Sequence, residues 1–324
     1  MKAKNHSRRE FLGNILGTSV VLSLGKFSPP SFGDDNVKVV RSKTMVFSKQ
    51  LEWIKDYNEL CEIVAEIGFD GLELTVRPGG YVLPERVEED LPRVAEAAKK
   101  AGIQITMIST KIVDPRDPLT EKILKTANQL GIGLYRMGGF SYNDSKTIEQ
   151  NLEEYKIIFQ DLAEMNKHYR IHGAYQNHAG SNRISASIWD LWFLLKDLDP
   201  RWIGCQYDTR HSQLEGGSWW PNGLKLLSLY IKTTVVKDFK WIQNGNQRKV
   251  QNCPIGEGVV DFNSYFALIK KYNIIGPISL HFPYPFVDDI DKSSKRMRLE
   301  KTKTVMKQKG VVKLKAMIEQ AGLR

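Results

Sequence analysis

"AEIGFDGLELTV", residues Ala65 to Val76, holds the pattern that decides the fold. An amphipathic stretch ends at Gly68, and a short apolar run with strand character begins at Gly71. The same junction recurs in "KKAGIQI", "NQLGIGL" and "KKYNIIG", where a glycine or asparagine closes a helical pattern just before a strand pattern. Both residue types accept the left-handed backbone that ends a helix. Working outward, strand-like runs are "TMVFS" from Thr44, "GLELTV" from Gly71, "IQITMIS" from Ile103 and "LYRMG" from Leu134. They continue with "YRIHGAY" from Tyr169, "WIGCQYD" from Trp202, "IKTTVVKD" from Ile231 and "PISLHF" from Pro277. Helical stretches alternate with them at Tyr57 to Ile67, Val87 to Ala101, Leu119 to Leu130, Thr147 to His168, Ile188 to Leu195, Leu224 to Tyr230, Phe262 to Tyr272 and Val311 to Ala321. In the second, Val87, Leu91, Val94, Ala95 and Ala98 fall at helical spacing.

Eight strands alternating with eight helices predict an α/β protein with a single (β/α)8 barrel. A doubly wound sheet would need a glycine-rich phosphate loop after its first strand, and "TMVFSKQLEWI" has none. The chain of 324 residues, 41% of them hydrophobic, is long enough to bury such a core. Its formal charge is +10, but the basic residues are dispersed. The exception, "KSSKRMRLEKTKTVMKQKGVVKLK", lacks interleaved aromatics and reads as a solvated helix with its lead-in, which argues against nucleic-acid binding. Cys61, Cys205 and Cys253 have no metal-type spacing and form no disulfide framework.

The N-terminus, "NHSRREFLGNILGTSVVLSLGKF", carries Arg8-Arg9 before a moderately apolar run from Phe11 to Leu24. It is similar to a twin-arginine export signal, too short and glycine-rich for a good membrane span, with small residues at "SFG" before Asp34. The expectation is a signal over 1–33, a barrel over 34–324, a periplasmic location and no stable membrane insertion once the signal is removed. The competing reading is a basic amphipathic first helix of a cytosolic protein.

In a barrel, polar residues at strand ends share one mouth. Here these are Glu73, Arg77, Ser109, Gln176, His178, Asp208, His211, Lys237, Asp238 and His281. In "AYQNHAG" the period of two puts Gln176 and His178 on one face. In "GCQYDTRHSQLEGG", Gly204 to Gly217, Asp208 ends a strand and His211 hangs from a glycine-closed loop. The plainer alternative is an aspartate capping a turn beside a surface histidine. One amide oxygen, one carboxylate and two or three imidazoles would suit Mn, Zn, Co or Mg.

Together, "LTVRPGG", "LPERVEEDLP", "YQNHAG", "YDTRHSQLEGG", "VKDFKW", "PIGEGVVDF" and "ISLHFPYP" make the chain similar to the sugar phosphate isomerase/epimerase superfamily, with its xylose-isomerase-like barrel. The match is nearest to a periplasmic branch. The resemblance implies a divalent metal held by Gln176, Asp208 and His281, with His211 beside them as ligand or substrate contact. At the seventh strand, where the family places a histidine, this chain has Val235; Lys237 and Asp238 are the polar groups there. Two further departures fall at the expected mouth: Tyr81 where the branch has histidine, and Pro283 where it has an acid.

Family epimerases use two glutamates, and the corresponding residues here are Gln176 and His281. Glutamine cannot serve as a base, so the resemblance implies one-sided removal of a proton beside a carbonyl. His211 or Glu73 is the expected base and Lys237 the expected oxyanion partner. Arg77, His178, Tyr81, Asp238 and Trp241 are the expected substrate contacts, on a non-phosphorylated sugar or keto-sugar. The alternatives are a lyase or hydratase acting on 3-keto-glycosides, and a non-catalytic carbohydrate-binding barrel.

Overall fold

Gly68 adopts φ 102°, a left-handed conformation that costs a side chain dearly, and it ends helix α1 (Tyr57–Ile67) in the computed structural model, which describes residues 43–285 and 294–323. Asp56 caps the other end of α1 by accepting the Glu59 backbone N–H. Between the caps, α1 buries Leu60, Cys61, Ile63, Val64 and Ile67. Each large aliphatic side chain contributes roughly 1.5–3 kcal/mol, so packing rather than intrinsic propensity holds a helix this short.

The strands that follow such helices are almost wholly buried, as parallel strands covered on both faces must be. They are β1 (Thr44–Phe47), β2 (Gly71–Thr75), β3 (Gln104–Ser109), β4 (Leu134–Arg136), β5 (His172–Gln176), β6 (Ile203–Asp208), β7 (Ile231–Val236) and β10 (Ile278–Leu280). All pair in parallel and close in the order β1-β10-β7-β6-β5-β4-β3-β2. The predicted (β/α)8 barrel is therefore the fold. Met45, Met107, Leu134 and Ala174 form a small apolar cluster of their own, and the larger core joins the strands to the surrounding helices. Those helices include α2 (Val87–Lys100), α3 (Pro118–Gln129), α4 (Ile148–Tyr169), α5 (Ile188–Leu195) and α8 (Phe262–Lys271).

The structure departs from the expected elements in three places. "TRHSQLEG" is not a loop but helix α6 (Thr209–Gly216), and a second helix, α7 (Trp220–Leu227), follows it before β7. Trp220-Pro221 starts α7 because proline suits a first helical turn, so the helix begins earlier than Leu224. The run from Ile231 does not continue through Asp238. It ends at Val236, and an antiparallel hairpin, β8 (Asp238–Asn244) with β9 (Gln247–Cys253), leaves the barrel there. The basic stretch near the C-terminus does form a helix, α9 (Lys295–Met306), joined through a π-helical turn to α10 (Val312–Gln320). The expected signal and its boundary at residue 34 lie outside the described residues. No described helix is long and apolar enough to cross a membrane.

Candidate active site

The ends of the barrel strands carry two buried carboxylates, each backed by a cation or an imidazole. Asp208 closes β6 and is fully buried. Its Oδ1 accepts the His211 backbone N–H at 3.1 Å, so the carboxylate caps α6. Its Oδ2 accepts from Lys237 Nζ at 2.6 Å and from Gln176 Nε2 at 2.7 Å. Burial would raise the Asp208 carboxyl, but the neighbouring imidazoles and the Lys237 ammonium outweigh it and hold the group well below the usual carboxylate range. Burial draws Lys237 below its ordinary range, against the pull of Asp208.

Glu73, from β2, is the second carboxylate and is also fully buried. Its Oε2 faces His281 Nε2 at 2.8 Å and accepts from Ser279 Oγ at 2.5 Å, while Arg136 Nη1 lies 3.6 Å from Oε1. These donors overcome the effect of burial and keep Glu73 ionised. His281 is pushed below its ordinary value by burial, against Glu73, so its imidazole is neutral and donates Nε2–H to the carboxylate. Its ring stacks on Phe47 with centroids 4.4 Å apart, which fixes its plane. Gln176 links the two centres: its Oε1 accepts from Arg136 Nη1 at 2.8 Å while its Nε2 donates to Asp208.

A cavity of about 410 Å³ opens over this network, within the range of small-molecule pockets. Arg77, Arg136, Gln176, His178, Lys237 and His281 are on its wall. His211 and Glu73 are not. His211 sits behind Lys237, with Nε2 3.0 Å from Nζ and Nδ1 accepting the Ala179 N–H at 3.1 Å, and its ring stacks on His178. The expected bases therefore stand one layer behind Lys237 and His281. His178 is pushed down to about 4, chiefly by burial and then by Lys237.

Three expected substrate contacts have other partners. Asp238 is fully buried and accepts the backbone N–H groups of Phe239, Gly256, Gly258 and Val260 at 2.8–3.1 Å, organising the "PIGEG" loop. Gly258 passes so close that an added Cβ would stand 2.2 Å from Asp238 Oδ1. Trp241 lies on β8, half exposed, in an edge contact with Phe239 and away from the cavity wall. Tyr81 packs against the main core rather than on the cavity wall, its hydroxyl donating to the Leu51 carbonyl. Ser109 is buried, and its hydroxyl has no hydrogen-bond partner among the described residues. Arg136 ends β4 and so meets the same strand-end criterion as the other site residues, although it sits inside the apolar run "LYRMG".

The residues present do not fit the expected divalent metal. Gln176 and Asp208 meet, but His281 turns to Glu73, and the Asp208 oxygen that would coordinate a cation already holds an ammonium. Among the described residues no three His, Cys, Asp or Glu side chains converge as a metal would require. The physical reason lies in the strand ends: neutral glutamine on β5, buried Val235 on β7, and Lys237 bringing its own positive charge.

Fold and site together define a (β/α)8 barrel with a polar, acid–base-rich pocket at the strand ends. The chain belongs to the xylose isomerase-like TIM barrel family, whose model matches residues 61–300. Among solved structures it is similar to a xylose isomerase domain protein from Planctomyces limnophilus (TM-score 0.61, 14% identity, 88% of this chain and 99% of that one). It is also similar to a probable 3-DHS dehydratase from Bacillus anthracis (TM-score 0.60, 14% identity, 82% and 98%). A third similar structure is a 3-keto-D-glucoside 4-epimerase from E. coli (TM-score 0.59, 12% identity, 81% and 99%). At these identities the likeness shows the fold alone. No curated protein matches the chain.

Proposed function

We propose that this protein catalyses one-sided proton transfer beside the carbonyl of a sugar or keto-sugar, as an isomerase or epimerase of its family. One observation carries the reading: His281 and Lys237 share a cavity wall, each backed by a buried carboxylate, Glu73 at 2.8 Å and Asp208 at 2.6 Å. Glu73 takes the Nε2–H of His281, which leaves Nδ1, without a partner among the described residues, as the base. The same carboxylate stabilises the imidazolium that forms when the carbon-bound proton arrives. Lys237 donates to the oxygen on which charge develops, and its lowered proton affinity suits a group that gives up a proton and takes it back. Arg136 faces the same space and offers a second cation to that oxygen. Glu73 and His211 act through their neighbours, as positioning residues.

Lys237 follows β7 and His281 follows β10, and these strands are paired, so the two groups rise from one side of the barrel. That placement favours isomerisation or elimination over a symmetric two-base epimerisation. Among the similar structures, the probable 3-DHS dehydratase is named for an elimination and the 3-keto-D-glucoside 4-epimerase for an epimerisation. The test is proton exchange in deuterated water with aldose, ketose and 3-keto-glycoside substrates, followed by NMR. Deuterium should enter beside the carbonyl, and His281→Asn should slow this on the order of a hundredfold. Loss of water from the product would identify elimination. Exchange at the parent rate in the variant would remove His281 from the mechanism, and no exchange with any of the substrates would defeat the reading.

A further inference from the structure

Six cations, Lys49, Arg77, Lys111, Arg136, Arg183 and Lys237, line the cavity, and none of the described wall residues is a carboxylate. Three of the six are balanced from behind: Arg77 by Glu52 at 3.8 Å, Arg136 by Glu73 at 3.6 Å and Lys237 by Asp208 at 2.6 Å. Lys49, Lys111 and Arg183 have no acidic partner among the described residues. We infer that the substrate carries an anionic group, a carboxylate or a phosphoryl group, bound by Lys49, Lys111 and Arg183 on the wall of this cavity.

The physical argument is the cost of leaving those charges together. Unbalanced cations around one cleft repel one another, and low-dielectric walls focus their field rather than dissipate it. The effect is visible at Lys111, whose ammonium is weakened first by burial and then by Arg77, Arg136, Arg183 and Lys49. An anion entering the cavity removes the repulsion and gains charge-assisted hydrogen bonds from lysine and arginine. Lys237 and His281 stand on the same wall, so an anion held there leaves the rest of a small sugar over the reactive pair. The inference rests on the cavity being the substrate pocket, as proposed above, but its binding test is independent of turnover.

The test is titration calorimetry of the full chain with three probes: a hexuronate, a hexose phosphate and the neutral hexose. At low salt at least one anionic probe should bind ten times or more tighter than the neutral sugar, and added salt should erode that preference. Whichever anionic probe leads identifies carboxylate or phosphoryl recognition. Lys111→Met and Arg183→Met should each weaken the leading probe about tenfold, as expected for losing a hydrogen bond from a charged group, and leave the neutral sugar unchanged. Equal affinity for charged and neutral probes overturns the inference, as does anion affinity that survives both substitutions. A third overturning result is affinity seen only after the aspartates of segment 286–293 are replaced by asparagine, for then the chain supplies its own counter-charge. Binding of an anionic probe without proton exchange on any keto-sugar would leave this inference standing and sink the proposed reaction. Exchange on neutral sugars with no charge preference would do the reverse.

Discussion

Replacing Lys237 with methionine keeps the stem but removes the ammonium that Asp208 holds at 2.6 Å. The expected result is loss of proton exchange together with a stability loss of about 3–5 kcal/mol, because a buried carboxylate is left unpaired. Adding Asp208→Asn should recover much of the stability, measured by chemical denaturation, without restoring exchange. Recovery of both would show that Lys237 is only a structural partner. The same ammonium predicts that the native protein, titrated with Mn²⁺ or Zn²⁺, shows no stoichiometric binding. Tight one-to-one binding would mean that the metal displaces Lys237. A second buried residue sets the acid response. His172 is pushed down to about 3 by burial, its Nδ1 bonded to the Arg201 carbonyl at 3.1 Å and its Nε2 without a partner among the described residues. A histidine with a depressed folded pKa leaves stability intact above its unfolded value of 6.5 and removes it as pH falls from 6.5 toward 3. The loss should reach a few kcal/mol, and His172→Gln should flatten the pH dependence across that window in denaturation curves. An unchanged slope would remove His172 as its cause.

At the scale of elements, the opening of α6 joins both readings of "YDTRH". Asp208 is an N-cap, the plain role, and the anchor of Lys237, the chemical one. The three-residue spacing that seemed to free His211 in a loop is the spacing of a helical first turn, and it turns the imidazole inward behind the lysine. The hairpin that leaves β7 is governed in the same way by one side chain. Asp238 satisfies four backbone N–H groups, three of them in the loop after β9, so Asp238→Ala should cost about 2–4 kcal/mol and loosen that loop. Hydrogen exchange of the Gly256, Gly258 and Val260 amides reads this directly. Protection equal to the parent's would show that the carboxylate is dispensable.

At the scale of the whole molecule, we propose that the protein is exported, from Arg8-Arg9 and the short apolar run after them. Changing both arginines to lysine should leave the protein in the cytoplasm, as cell fractionation would show. Unchanged export would mean that the segment has another role. By itself the sequence determined the barrel, because periodicity and helix-ending glycines are local signals that repeat with each βα unit, as at Gly68 and Gly102. It also determined which polar residues lie near the strand ends, Gln176, Asp208, Lys237 and His281 among them, since parallel strands in one barrel put those ends together. Only the tertiary structure decided who partners whom. Whether His281 turns to Asp208 or to Glu73, and whether Asp208 is left open or takes an ammonium, depends on side-chain directions across strands far apart in sequence. Whether Lys111 and Arg183, which sit in loops, share a cavity is decided the same way. Those distances are set by the closure of the sheet, and no local pattern in the chain records them.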